Sequence, residues 1–189
     1  MNKDKFNELI GVEENYKAPD KLMSIIFDKQ KRIKLFDEVL AIDDDLSQDQ
    51  LRSYFQEQQA DRGNNKQDFT PTSIAHLTAL IAGDTKSNLD SCCGTGTLTI
   101  AKWWADKQRD DDVNHHYQMI ELTESAIPFL LFNVMIRGMN ATVINGNVLT
   151  KEYKHVYKLT NNGKYSDIEE VKDVQEGVEE QSIMLDLNL

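Results

Sequence analysis

Three polar residues close short apolar runs in this chain: Asp90 after Leu89, Glu121 after Met119-Ile120, and Asn147 shortly after Val143-Ile144. The first is followed by Ser91-Cys92-Cys93 and by the turn Gly94-Thr95-Gly96. A carboxylate can accept hydrogen bonds from both hydroxyls of a ribose, and a side-chain amide can meet the edge of an adenine. Glycines let the backbone turn sharply and let a ligand approach without meeting a Cβ. Together these are the groups needed to hold a nucleoside. The third glycine of a dinucleotide fingerprint would fall at position 99, which is Thr99, and no Lys-Ser/Thr pair follows the turn. The pattern therefore argues against a nicotinamide, a flavin or another phosphate-bearing ligand. A lone G-x-G also serves as a plain structural turn, and that alternative stays open at this point.

The elements around these residues decide what they can do together. The order from 88 to 144 is strand, turn, helix (Leu98, Ile100, Ala101, Trp104, Ala105), strand (Tyr117 to Glu121), helix (Glu124 to Arg137, stopped by Gly138), strand (Ala141 to Ile144). This β-α-β-α-β alternation predicts an α/β fold with a parallel, doubly wound sheet. Sheets of that kind bind ligands at the carboxyl ends of their strands, where Asp90, Glu121 and Asn147 are expected. Ahead of the first strand, Thr70 is expected to cap a helix with Pro71 as its first residue, and Ile74, Leu77, Leu80 and Ile81 are expected to form its buried face. Residues 1–62 read as a helical segment, with Leu22, Ile25, Ile26, Ile33, Phe36, Val39 and Leu40 at three- and four-residue steps between Pro19-Asp20 and Asp43-Asp44-Asp45. Ser47 and Gln50 have capping-box spacing for the next helix. The expected organisation is a helical segment over 1–62, a core over 63–165 and an acidic tail over 166–189. The tail has a last strand or helix near Ser182–Leu187 as one option.

Composition bounds the function. The chain has 189 residues and a net charge of −11, which argues against a free-standing nucleic-acid binder. Eight acids against Lys172 place −7 of that charge in residues 165–189. Such a stretch reads as a solvated tail or as a docking surface for a basic partner. No apolar run approaches a membrane span, and the N-terminus lacks a signal-like core, so a cytoplasmic protein is expected. Cys92 and Cys93 read as small packing residues. The four histidines show no metal-ligand spacing, so no metal site is expected. Trp103 and Trp104 read as core and rim packing.

Five ordered elements carry a resemblance: Phe69-Thr70-Pro71, Asp90-Ser91-Cys92-Cys93-Gly94-Thr95-Gly96, Glu121-Leu122, Asn133-Val134-Met135-Ile136-Arg137-Gly138, and Gly146-Asn147-Val148-Leu149. They are similar to successive motifs of the adenine-specific (N6) DNA methyltransferases, most closely the modification (M) subunits of type I restriction systems, over roughly residues 50–150. The resemblance implies a Rossmann-like methyltransferase fold that binds S-adenosylmethionine. By position, Phe69, Thr70 and Pro71 would line the methionine end, and Asp90, Ser91, Cys92, Gly94 and Gly96 would wrap the amino-acid moiety. Glu121 would hold the ribose, Leu122 would pack on the adenine, and Asn147 and Val148 would contact its edge. Ser91 stands where the family usually has proline. Asn147 stands where aspartate is common, and its amide oxygen can still accept from the adenine amino group.

One departure bears on catalysis. The family carries an N/D-P-P-Y/F/W tetrapeptide after its fourth strand; it accepts hydrogen bonds from the target amino group and stacks on the flipped base. This chain has three prolines, Pro19, Pro71 and Pro128, none adjacent. The best trace of a fourth strand is Tyr165 to Val171, which would put the tetrapeptide near Lys172-Asp173-Val174. The expectation is a cofactor-binding, catalytically incomplete protein, a split subunit or a pseudoenzyme, with no catalytic residue to assign. No length is left for a target-recognition domain, so direct DNA binding by this chain alone is not expected. A methyltransferase or restriction-modification subunit is the expected partner. The alternatives are an acidic interaction module or decoy acting on such a complex, and an active N6-adenine methyltransferase.

Overall fold

The structure is a computed structural model that describes residues 1–60, 70–109, 115–175 and 177–178. Phe69, the loop from Gly63, the run Asp110–Asp112 and residues 179–189 of the acidic tail lie outside the described residues.

The chain begins with helices. α1 (Lys3–Ile10) is capped by Asn2, whose side chain accepts from the Lys5 N–H at 3.0 Å. α2 (Ala18–Phe27) has Pro19 and Asp20 in its first turn, as the sequence suggests. A single helix running on to Asp43 was the expectation. Instead the backbone breaks at Asp28, which is extended and caps α3 (Lys29–Ile42) by accepting from the Lys31 N–H at 3.1 Å. α4 (Arg52–Ala60) follows. Its start is not the Ser47–Gln50 box. Ser47 turns back to Asp45, the Gln50 amide donates to the Asp43 carbonyl, and Asp49 accepts from the Leu51 N–H at 3.0 Å.

α5 (Thr72–Ala82) starts just after the expected cap. Pro71 is extended at ψ 142, and no side chain caps the helix. The expected buried face is also wrong. Ala75 and Ala79 are buried, against Ala101, Leu98 and Ala105 of α6 (Thr97–Arg109), whereas Ile74, Leu77, Leu80 and Ile81 are exposed. Two alanines let the helices approach closely, and the larger side chains are left on the outer side.

The sheet has five strands in the order β1 (Ser87–Asp90), β2 (His116–Glu121), β3 (Asn140–Asn147), β4 (Glu152–Asn161) and β5 (Ser166–Glu170). The first three are parallel, as expected, and the last two run antiparallel to their neighbours. The sheet is therefore mixed and not wholly parallel. The turn from Val148 to Lys151 is too short for anything but a reversal of direction. β5 occupies the trace proposed for a fourth strand, but it lies at the edge opposite β1 and antiparallel to β4.

Tyr117, Met119, Ala141, Val143, Tyr157 and Leu159 present one face of the sheet to α7 (Ile127–Met135) and to Phe6, Leu22, Phe36, Leu51 and Phe55 of the first four helices. Helices and sheet thus share one core. Trp103 is buried in it, with the partly buried Trp104 alongside at 5.9 Å between ring centroids. On the other face Ile120, Ile144 and Val156 cluster with Val171, Val174 and Val178. Among the described residues, no helix is long and apolar enough to cross a membrane.

Candidate functional site

The turn after β1 is tied to β2 from two directions. The Cys93 N–H donates to the Ile120 carbonyl at 3.2 Å, and the Gly94 N–H donates to Glu121 Oε2 at 2.8 Å. Glu121 Oε1 accepts from the Thr123 N–H at 2.7 Å. The carboxylate at the end of β2 is thereby fixed by two backbone donors while it stays 6% exposed. Each oxygen keeps a further lone pair for a hydroxyl.

The two glycines differ. Gly94 (φ 57) has open space where a Cβ would stand. Gly96 (φ 95) faces inward, and a Cβ there would lie 2.9 Å from Leu130 Cδ1. Gly94 can admit a ligand; Gly96 admits α7.

A cavity of about 350 Å³ opens at the carboxyl ends of β1, β2 and β3. Of the expected residues, Thr70, Ser91, Cys92, Gly94, Glu121, Leu122, Asn147 and Val148 line it. Pro71, Asp90 and Gly96 do not. Asp90 instead accepts from Thr99 Oγ1 at 3.1 Å, and burial raises its carboxyl pKa. Cys93 is buried, and its thiol pKa is pushed well up by desolvation; Cys92 is exposed. Asn147 Oδ1 accepts from the Leu149 N–H at 2.9 Å and the Thr150 N–H at 3.3 Å. Its oxygen is thus engaged in holding the loop, and the group left for a ligand is the NH₂ end. Gly146 is close to that loop, and a Cβ on it would lie 2.5 Å from the Glu152 carbonyl oxygen.

Sequence reasoning missed several lining residues, among them Phe55, Thr97, Leu98 and Leu149. Thr97 and Leu98 follow the glycine turn directly and could have been read from that. Phe55 comes from the preceding helical segment, and no local signal marks it.

Behind the turn lies a second polar network. Thr95 Oγ1 donates to Asp49 Oδ2 at 2.5 Å, and Asn133 Nδ2 donates to Asp49 Oδ1 and to the Thr95 carbonyl, each at 2.9 Å. Arg137 donates from Nε to the Leu46 carbonyl at 2.9 Å, from Nη1 to the Asn133 carbonyl at 2.6 Å, and from Nη2 to the Gln48 carbonyl. Desolvation raises the Asp49 carboxyl pKa, against hydrogen bonds from Thr95 and Asn133. Burial pushes Arg137 down to about 10. The network locks the segment before α4 onto the turn, and so helps to place Phe55 at the cavity.

Away from the cavity, Asp84, Asp106 and His115 bring ligand atoms within 4.8 Å of one another, a grouping that sequence spacing did not suggest. Asp106 already accepts from Lys102 and from Tyr117 Oη, the latter at 2.7 Å. Its charge is met by a resident cation.

The cavity lies at the carboxyl ends of parallel strands, which is where open α/β sheets bind their ligands. The family is more specific than that. A family model of N-6 DNA methylases matches residues 42–174, well over half of the chain, and the chain belongs to this family. The match takes in the cavity and the Asp49–Arg137 network. No curated protein and no solved structure matches the chain.

Proposed function

We propose that the chain is the S-adenosylmethionine-binding part of a DNA adenine methyltransferase of the restriction-modification kind, with a Rossmann-like core, and that it does not transfer a methyl group by itself. The observation that carries the reading is Glu121, fixed by the Gly94 and Thr123 amides at the rim of the cavity. A carboxylate set in advance toward the ribose hydroxyls binds without paying to order itself. Leu122, exposed beside it, offers an apolar surface to the adenine, with Val148 across the cavity. The open space at Gly94 suits the amino-acid end of the ligand. The cofactor supplies an electrophilic methyl group; the residues described here bind and orient its carrier.

The second half of the proposal rests on the strand order. Among the described residues, nothing equivalent to a proline-containing strand end stands beside β1. Without the tetrapeptide there is no acceptor for the target amino group and no ring for the flipped base.

Thermal unfolding with and without S-adenosylmethionine tests the binding. Ligand at about 100 times its dissociation constant should stabilise by about 2.7 kcal/mol. No shift at millimolar ligand overturns the proposal. A labelled methyl donor with DNA and the purified chain should leave the DNA unlabelled, and incorporation would restore the active-enzyme reading.

A further inference from the structure

A second cavity, of about 630 Å³, lies between α2, the start of α7 and one face of β3, β4 and β5. It shares no lining residue with the cavity at the glycine turn. The strand register builds its floor. Asn145 stands beside His155, and Tyr157 beside Glu170, so two cross-strand pairs are neighbours on one face of the sheet. The His155 and Tyr157 rings stack with their centroids 6.0 Å apart. Phe27, at the end of α2, lies 6.1 Å from Tyr157, and Tyr16 adds a further ring from just ahead of that helix.

Two buried polar groups that line this cavity are unfilled. Tyr157 is 3% exposed, and its hydroxyl has no hydrogen bond among the described residues. A buried phenol ordinarily finds a partner. Asn145 is 1% exposed. Its Nδ2 donates to the Glu121 and Leu122 carbonyls at 2.9 and 3.2 Å, and its Oδ1 has no donor among the described residues. Both oxygens can accept a hydrogen bond, and Oδ1 can do nothing else.

Charge points the same way. Asp20, Glu124 and Glu170 line the cavity, with His155 as the basic residue among them. Glu124 and Glu170 hold exposed partners, Lys154 and His155, while Asp20 has no cation among the described residues. A carboxylate that holds one donor keeps lone pairs for another. Burial, then Glu170 and Glu124, push the Tyr157 hydroxyl pKa up to about 12, so two of the acids act on that one buried group. The cavity thus offers acceptors, negative charge and ring faces, and its complement is a cation with several donors on an apolar stem. An ammonium is compact and strongly hydrated, whereas a guanidinium is planar, weakly hydrated and stacks on rings. Free arginine would bring its own carboxylate against three acids. Within a polypeptide that group is a neutral amide.

We infer that this second cavity is the docking site for an arginine side chain of another polypeptide, whose guanidinium lies among the aromatic rings, donates to Tyr157 Oη and Asn145 Oδ1, and is held by Asp20 and Glu170. The assignment stands apart from S-adenosylmethionine binding, because the two cavities have no residue in common.

The test is an NMR titration of the full chain with a capped tripeptide that carries arginine between two glycines. The matching lysine and citrulline peptides are the controls. Saturable shifts at the Asn145 side-chain amide and the Phe27 and His155 rings are expected with arginine. Citrulline keeps the shape and loses the charge, and should give no such shifts at the same concentration; lysine should bind more weakly. The double variant Asp20→Asn/Glu170→Gln should weaken the arginine peptide by about tenfold. Both positions are exposed, and unchanged circular dichroism verifies the fold of the variant. Phe27→Leu keeps an apolar wall and removes a ring, and it should weaken binding by roughly threefold. No saturation with arginine, equal binding of citrulline or lysine, unchanged affinity in both variants, or shifts centred on Leu122 and Asn147 at the other cavity would each overturn the inference.

Discussion

Glu121 is the residue on which the site turns, and its two anchoring bonds make a sharp prediction. Glu121→Gln keeps the shape but places an NH₂ group opposite one of two backbone donors, the Gly94 or the Thr123 N–H. A donor facing a buried donor costs about 1–3 kcal/mol. Urea denaturation should show that loss, and the melting shift with S-adenosylmethionine should disappear. Gly96→Ala tests packing instead. The new Cβ would meet Leu130 and hold a backbone at φ 95. A loss of about 1–3 kcal/mol is expected by the same measurement. The place of Glu121 at the cavity was legible because a strand of a parallel sheet ends on it, and such strand ends border the ligand crevice. The separate duties of Gly94 and Gly96 were not, because a G-x-G pattern does not say which glycine faces the cavity and which faces a helix.

At the scale of elements, Arg137 joins the end of α7 to the loop before α4. It serves the carbonyls of Leu46, Gln48 and Asn133 at once. Lysine has the charge but not the planar fork, so Arg137→Lys should strand at least one of these acceptors. We expect a loss of about 1–3 kcal/mol in urea denaturation. Faster hydrogen exchange in residues 46–51 should accompany it, with that of β2 and β3 changing less. The helices and the first three strands were readable because their apolar spacing is regular. The break at Asp28 was not, because the spacing continues across it and only the capping bond to Lys31 marks the stop. β4 was missed because its exposed side carries lysines and threonine, with Val156, Tyr157 and Leu159 as its buried residues. The buried face of α5 was misjudged because periodicity says that a helix has an apolar side, not which of its residues meet the neighbouring helix.

Across the whole molecule, ion pairs bind the β4–β5 hairpin to the helices. Asp167 takes Lys29 and Arg32 at 3.1 and 3.0 Å, and Asp37 takes Lys164 at 2.6 Å. The Lys29 hydrogen bond holds the Asp167 carboxyl below its ordinary value of 3.8, and the Lys164 bond does the same for Asp37. A depressed pKa contributes stability that is present above the unfolded value and lost as pH falls through the folded one. The Asp167→Asn variant should therefore be less stable than the wild type at neutral pH. The two urea midpoints should converge as pH falls below the ordinary value of 3.8 and through the lowered folded-state one, where the wild-type carboxylate also becomes neutral. Asp49 and Asp90 act in the opposite sense. Burial raises both, so their contribution falls as pH rises from the unfolded carboxylate value toward the folded one.

The adjacent cysteines give the molecule a two-hand clock. Cys92 stands exposed at the cavity, and Cys93 is buried with its thiol held protonated by desolvation. An alkylating reagent should modify the first at once and the second only when the core opens. The fast hand then reports occupancy of the cavity, because a bound ligand shields Cys92. The slow hand reports the opening of the fold, read from the neighbouring residue in the same tube.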